Sequence, residues 1–210
     1  MKKILSTIVV GAALAAAATA APLATTLTLT ATPTAVAYGK AVALNGVLST
    51  HRANQNVKVA ATECGQTTSK TVGTVKTNAS GAYTMSVTPT VNTSYVATQK
   101  GTKSPAVAVT VAPVLKLVRV RRGSYTVSVT SAVDLKGKAV LLQRYSKIRK
   151  RWVQVKRVLL TTTTAGTKPT MVSSAGFNAK VAKGIRVRAA ISKAQAAPCY
   201  IAAKSNSVRA

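Results

Sequence analysis

The chain has 210 residues, of which thirty are Lys or Arg, two are Asp or Glu and one is His, for a formal net charge of +28. So few carboxylates and imidazoles disfavour paired-carboxylate hydrolysis, zinc or calcium centres and a Ser/His/Asp site. Hydrophobic residues make up 47% of the chain, enough for a core, and their alternation sets it apart from a disordered basic tail.

The N-terminus reads as a secretory signal peptide over residues 1–21. Lys2 and Lys3 supply the positive end, Ile4–Leu14 the apolar segment, and Ala18-Thr19-Ala20 the small-x-small cleavage pattern, with cleavage expected after Ala20 or Ala21 and Pro22 just beyond. The apolar run is shorter and richer in Ala than the ~20 strongly apolar residues of a membrane anchor, and no second run approaches that length. The expected product is therefore secreted, with no transmembrane segment, and is either released or held at the cell wall by charge. Removing Lys2 and Lys3 takes its formal net charge from +28 to +26. Its size fits one or two domains.

Period-two alternation of β-branched residues then runs through the rest of the chain. Strands are predicted over Thr26–Ala31, Ala41–Leu48, Val57–Thr62, Thr71–Lys76, Gly81–Thr88, Ser94–Gln99 and Ala106–Val111. Turn signals such as Tyr38-Gly39-Lys40, Cys64-Gly65-Gln66 and Asn78-Ala-Ser-Gly81 separate them. Seven short strands at this spacing predict a sandwich of roughly a hundred residues. After Ala112-Pro113 the plan repeats, with strands predicted over Leu115–Val120, Tyr125–Thr130, Ala139–Gln143, Trp152–Val158, Gly176–Val181, Ile185–Ile191 and Tyr200–Ala203. No helix of useful length is predicted.

The two halves match segment by segment. Lys40-Ala-Val-Ala-Leu corresponds to Ser124-Tyr-Thr-Val-Ser-Val, Asn56-Val-Lys-Val-Ala to Lys138-Ala-Val-Leu-Leu, Val72-Gly-Thr-Val-Lys to Trp152-Val-Gln-Val-Lys, and Ser80-Gly-Ala-Tyr-Thr to Ser174-Ala-Gly-Phe-Asn. Such a repeat predicts two copies of one unit, over 22–112 and 113–210. The segment from Thr77-Asn-Ala-Ser-Gly-Ala-Tyr through Pro89, followed by Asn92-Thr-Ser-Tyr95, resembles the immunoglobulin-like or transthyretin-like modules of secreted bacterial proteins. In those an Asn/Asp-x-x-Gly turn precedes an aromatic that packs into the sandwich. Val140-Leu-Leu-Gln-Arg-Tyr and Trp152 resemble the second module of two-domain exported actinobacterial proteins. The resemblance implies an all-β fold of two tandem immunoglobulin-like sandwiches, and it implies little about function.

The individual reactive residues read as structural. His51, in a loop after Ser49-Thr50, is expected to be exposed. Asp134, before Gly137, is expected to bond its own backbone in a turn, and Glu63 to be a solvated charge at a strand end. No phosphate-cradling glycine loop is present, and no residue is expected to be catalytic or to bind a metal or cofactor. The two cysteines fall one per half. Export favours a Cys64–Cys199 disulfide, which needs α-carbons about 4.4–6.8 Å apart; two free thiols or pairing between chains are the alternatives.

The charge is uneven. Residues 22–112 hold seven basic residues against Glu63, a net of +6, whereas 113–210 hold twenty-one against Asp134, a net of +20. The densest run, Arg144, Lys147, Arg149, Lys150 and Arg151, spans the turn of a predicted hairpin, and Lys156 and Arg157 continue along its return strand. Lys116, Arg119, Arg121 and Arg122 edge another strand. Arg186 and Arg188 share one face of a third, with Val187 pointing the other way. Basic residues also keep a Val-rich sandwich from aggregating through its edges, but that use does not require charges almost all of one sign. The expectation is a non-enzymatic protein that associates electrostatically with anionic envelope or extracellular polymers: teichoic acid, lipopolysaccharide phosphates, acidic polysaccharide or extracellular DNA. Nonspecific nucleic-acid binding is expected of such a charge. Specific recognition is not, because aromatic platforms are few and no recognition element is present. The alternative is a secreted cationic effector or inhibitor acting on an anionic membrane or a protein partner; the absence of an amphipathic helix counts against the membrane form.

Overall fold

The computed structural model describes residues 24–210, so the expected signal peptide over 1–21 lies outside the described residues. The N-terminal half runs β1 (Thr30–Thr32), β2 (Ala35–Ala37), β3 (Val42–Val47), β4 (Asn56–Glu63), β5 (Lys70–Lys76), β6 (Ala82–Val87), β7 (Thr93–Gln99), β8 (Thr102–Lys103) and β9 (Val107–Ala112). The C-terminal half runs β10 (Val114–Arg121), β11 (Ser124–Ser131), β12 (Ala139–Ser146), β13 (Arg151–Leu159), β14 (Thr162–Ala165), β15 (Met171–Asn178), β16 (Arg186–Ile191), a single helical turn α1 (Lys193–Ala196) and β17 (Ala203–Arg209). Over the described residues the fold is all-β, in four sheets. Their orders are β1-β3-β6 and β2-β9-β7-β4-β5, with β8 on β7, in the first half, and β10-β11-β15-β14 and β13-β12-β16-β17 in the second.

The alternation seen in the sequence becomes one buried and one open face per sheet, the arrangement of a β-sandwich. Val57 and Val59 on β4, Tyr95 and Ala97 on β7, and Val109 and Val111 on β9 are buried with Val42 and Leu44 of the facing sheet. In the second half Tyr125, Val127 and Val129 of β11 meet Val140 and Leu142 of β12 and Val187, Ala189 and Ile191 of β16. The matched sequence segments fall on β3 and β11, β4 and β12, β5 and β13, and β6 and β15. These strands hold equivalent places in the sheet orders. The Asn78–Gly81 turn before β6 forms as its sequence suggests, but it carries the chain from one sheet to the other rather than closing a hairpin. The Asn78 carboxamide oxygen accepts from the Ser80 and Ala82 amides, and Gly81 takes φ +75° with the Leu48 carbonyl where a side chain would go. Tyr83, the aromatic that follows, is buried and donates to the Thr28 carbonyl.

Several elements depart from the sequence expectation. β2 and β14 are short edge strands without an apolar repeat, and β2 is held by parallel pairing with β9. β15 begins five residues before the expected Gly176, because two of its inward positions are Ser173 and Ala175 rather than large apolar residues. The last strand is Ala203–Arg209, not Tyr200–Ala203. Its polar sequence is held by pairing with β16 and by Asn206, whose carboxamide accepts from the Leu117 amide and donates to the Leu117 carbonyl across the sandwich edge.

The segment freed from strand duty, 197–201, joins the halves. Cys64 and Cys199 form a disulfide with α-carbons 5.3 Å apart. Asn92 uses all its polar groups around it. Its amide donates to Cys199 O (2.9 Å) and its carbonyl accepts from the Cys64 amide (2.8 Å). Its side chain donates to Pro198 O (3.1 Å) and accepts from the Val111 amide (2.8 Å). Tyr200, 2% exposed, donates to Thr90 O and accepts from the Ala132 amide, while the Ile201 amide donates to Val111 O. Pro113 lies directly between β9 and β10.

Two outcomes follow from this joint. Asn92→Ala strands the Pro198 carbonyl and the Val111 amide, so stability in a denaturant titration should fall by about 1–3 kcal/mol; a change within about 0.5 kcal/mol would argue against the joint. Burial pushes Tyr200 and Tyr83 up to about 12 from 10.0. The folded chain holds these protons more tightly than the unfolded chain, so their contribution is full below pH 10 and is lost as pH rises toward 12. Tyr200→Phe should therefore flatten the alkaline decline in stability; an unaltered alkaline limb would contradict this.

Candidate anion-binding face

The β13-β12-β16-β17 sheet carries most of the basic residues singled out in the sequence, and its registers sort them by face. Val187 has no exposure, so Arg186 and Arg188 on either side project outward. Arg188 pairs with Gln143 on β12, and Arg186 pairs with Arg209 on β17. Tyr145, two residues past Gln143, shares that outer face, and Trp152 is its register partner on β13. Arg157 pairs with Leu141 on the same face, and Lys204 pairs with Ala190.

An ordered cluster lies at the centre of this face. The Arg188 guanidinium sits 4.1 Å above the Trp152 ring, and its Nε donates to Gln143 Oε1 at 2.9 Å. Tyr145 meets Trp152 edge-on, with ring centroids 5.6 Å apart. Burial pulls the Arg188 guanidinium below its ordinary value, yet a guanidinium stays charged in proteins. Stacking and the Gln143 bond fix Arg188 in advance and leave its terminal nitrogens free of those contacts, which lowers the ordering cost of binding an anion.

The other expected residues take separate places. Lys147, Arg149 and Lys150 are exposed in the turn between β12 and β13, where Lys150 has φ +47° and Ser146 Oγ accepts from the Arg149 amide. Arg144 and Arg151 are exposed on the strand ends flanking that turn; Arg144 pairs with Val187 and Val153 and so lies on the opposite side of the sheet from Arg188. Lys156 reaches across the sandwich edge and donates to the Asn178 carbonyl (2.9 Å). The nine residues therefore form an outer-face group with Arg157, Arg186 and Arg188, a turn group with Arg144, Lys147, Arg149, Lys150 and Arg151, and Lys156 engaged at the edge.

Sequence reasoning did not include Tyr145, Gln143, Lys204 or Arg209 in the site. Tyr145 and Trp152 were legible as flanks of the basic turn, but only the register puts them against Arg188. Arg209 lies beyond the expected last strand, Tyr200–Ala203, because β17 has no apolar repeat to mark it.

The remaining reactive groups have structural settings. Asp134 accepts from the Lys136 amide, from Thr163 and from Ser173, and these hydrogen bonds, Thr163 first, hold its carboxyl below the ordinary value. His51 is an exposed loop residue whose Nδ1 lies 2.9 Å from Ser80 O. Among the described residues no group of three His, Cys, Asp or Glu could hold a metal ion, and no helix is long and apolar enough to cross a membrane. Comparison with protein-family models and with curated proteins gave no match.

The chain has a single tryptophan, which makes the cluster directly observable. Arg188→Met keeps an apolar stem and removes the cation. It should change the Trp152 emission and cost about 0.5–1 kcal/mol of stability; an unchanged emission spectrum would contradict the stacked arrangement.

Proposed function

We propose that the chain is an exported, non-enzymatic binding protein of two tandem immunoglobulin-like sandwiches, the first over 22–112 and the second over 113–210, and that it associates with anionic polymers of the cell envelope or matrix. The matched sheet orders of the halves support the tandem reading, and the Cys64–Cys199 disulfide suits an oxidising compartment. The observation that carries the binding role is the outer face of β12, β13, β16 and β17. It presents Arg157, Arg186, Arg188, Lys204 and Arg209 around two aromatic rings, beside a turn with three further cations. A net of +20 over residues 113–210 repels itself, and a polyanion offsets that repulsion. Binding of this type releases counterions and falls steeply with salt.

A second reading, a cationic effector acting on anionic membranes, is favoured by one feature. Ile148, at the tip of the basic turn between Lys147 and Arg149, is 95% exposed. An apolar tip ringed by cations suits a lipid surface with anionic headgroups.

The test is retention on isolated bacterial cell walls and on anionic vesicles across a salt series. The polymer reading expects a sharp salt-dependent release from walls, and a shallower release for the protein carrying Lys147→Gln, Arg149→Gln, Lys150→Gln and Arg151→Gln together. No retention on walls at low salt would overturn it. Vesicle binding that Ile148→Ser abolishes, without wall binding, would establish the membrane reading instead.

A further inference from the structure

A depression of about 370 Å³ opens at one end of the basic face, lined by Tyr145, Lys147, Gly184, Ile185, Arg186 and Arg209. We propose that it is a subsite for one tetrahedral oxyanion ester, phosphate or sulfate, of a sugar or polyol polymer, with the adjoining ring or polyol against Tyr145. The proposal rests on the polyanion-binding reading and assigns that reading a specific contact point.

Arg186 and Arg209 both line the depression. They are direct register partners on adjacent antiparallel strands, and the outward face of both follows from buried Val187 and its partner Val208. Side chains so placed have β-carbons about 4.5–5.5 Å apart, and like charges there repel. Among the described residues no carboxylate side chain lines the depression, and at its rim Ala210 accepts from the Gly184 amide and donates to the Ile185 carbonyl. Lys147 adds a third cation from the turn. The three cations come from three segments, β16, β17 and the β12–β13 turn, and so approach the space from different directions. One planar fork on a carboxylate would leave that arrangement partly unused, whereas a tetrahedral group directs its oxygens outward in three dimensions.

The aromatic wall is also fixed. Tyr145 is braced edge-on by Trp152, which is itself covered by Arg188. A half-buried tyrosine ring beside cations offers an apolar surface to a sugar or polyol and a hydroxyl to its polar groups. The volume, about 370 Å³, suits one such unit rather than a folded partner. Two larger depressions lack this combination: the one of about 600 Å³ between Arg122 and Lys180 has no aromatic residue in its lining, and the one of about 560 Å³ beside Tyr83 has a single basic residue, Lys76.

Trp152 adjoins the subsite through Tyr145 and is the chain's only tryptophan, so its fluorescence reports occupancy. Poly(glycerol phosphate), dextran sulfate and polygalacturonate are titrated at one salt concentration into the full chain and into Arg186→Gln/Arg209→Gln. The wild type should bind the phosphate or the sulfate polymer at least about tenfold more tightly than the carboxylate polymer, with a change in Trp152 emission; the tighter of the two identifies the ester. The double variant should lose that preference and the emission change while keeping salt-sensitive binding through the turn. Without polymer, at low salt, it should melt no lower than the wild type, because an opposed pair of like charges has been removed. Equal binding of all three polymers, or a double variant that binds as the wild type does, would overturn the subsite and leave the broader reading standing. If the wild type bound none of the three, both would fall.

Discussion

Burial of one side of each strand decides where the charge goes. Val187 fills the core between the sheets of the second half, and with a side-chain period of two Arg186 and Arg188 have nowhere to project but outward. The same constraint on β12 and β17 brings Gln143, Tyr145, Lys204 and Arg209 to that surface. A slip of one residue in any of these pairings would drive arginines into the core, so the register is strongly specified. The basic face is thus a product of packing as much as of composition.

Two kinds of cation result. Arg188 is immobilised by Trp152 and Gln143, and Lys156 is tied to the Asn178 carbonyl. Lys147, Arg149 and Lys150 stand on an exposed turn. Immobilised cations lose little freedom on meeting a ligand and favour discrimination. Exposed ones on the turn supply long-range attraction and respond most to salt. On our proposal the turn gathers the polymer and the outer face selects within it. The joint at Cys199, Asn92 and Tyr200 ties the second half to the first through a covalent bond and a set of hydrogen bonds centred on Asn92.

Much of the strand layout was legible because strands with inward Val, Leu or Tyr, such as β3, β4 and β11, alternate plainly. The all-β class and the repeated segments followed from those. What stayed hidden had physical reasons. Ser173 is a fully buried polar residue, satisfied by the Leu135 amide and Asp134, and it broke the apolar pattern of β15. β17 reads as a polar tail because its pairing and the Asn206 bridge, not apolar side chains, hold it. Arg209, and with it the pairing opposite Arg186, belongs to that polar strand. Tyr200, expected to begin a strand, instead joins the halves together with Cys199. The basic turn was visible as a run of charge. The aromatic–arginine cluster was not, because it depends on which residues face one another across three strands.

If the polyanion meets the outer face of β12, β13, β16 and β17, chemical-shift mapping of the full chain during titration with poly(glycerol phosphate) should give shifts concentrated at the Trp152 indole, at Gln143 and Tyr145, and at Arg186, Arg188 and Arg209, with little change on the hydroxyl-lined outer positions Thr126, Ser128 and Thr130 of β11. Shifts scattered evenly over both faces, or centred on the N-terminal half, would contradict it.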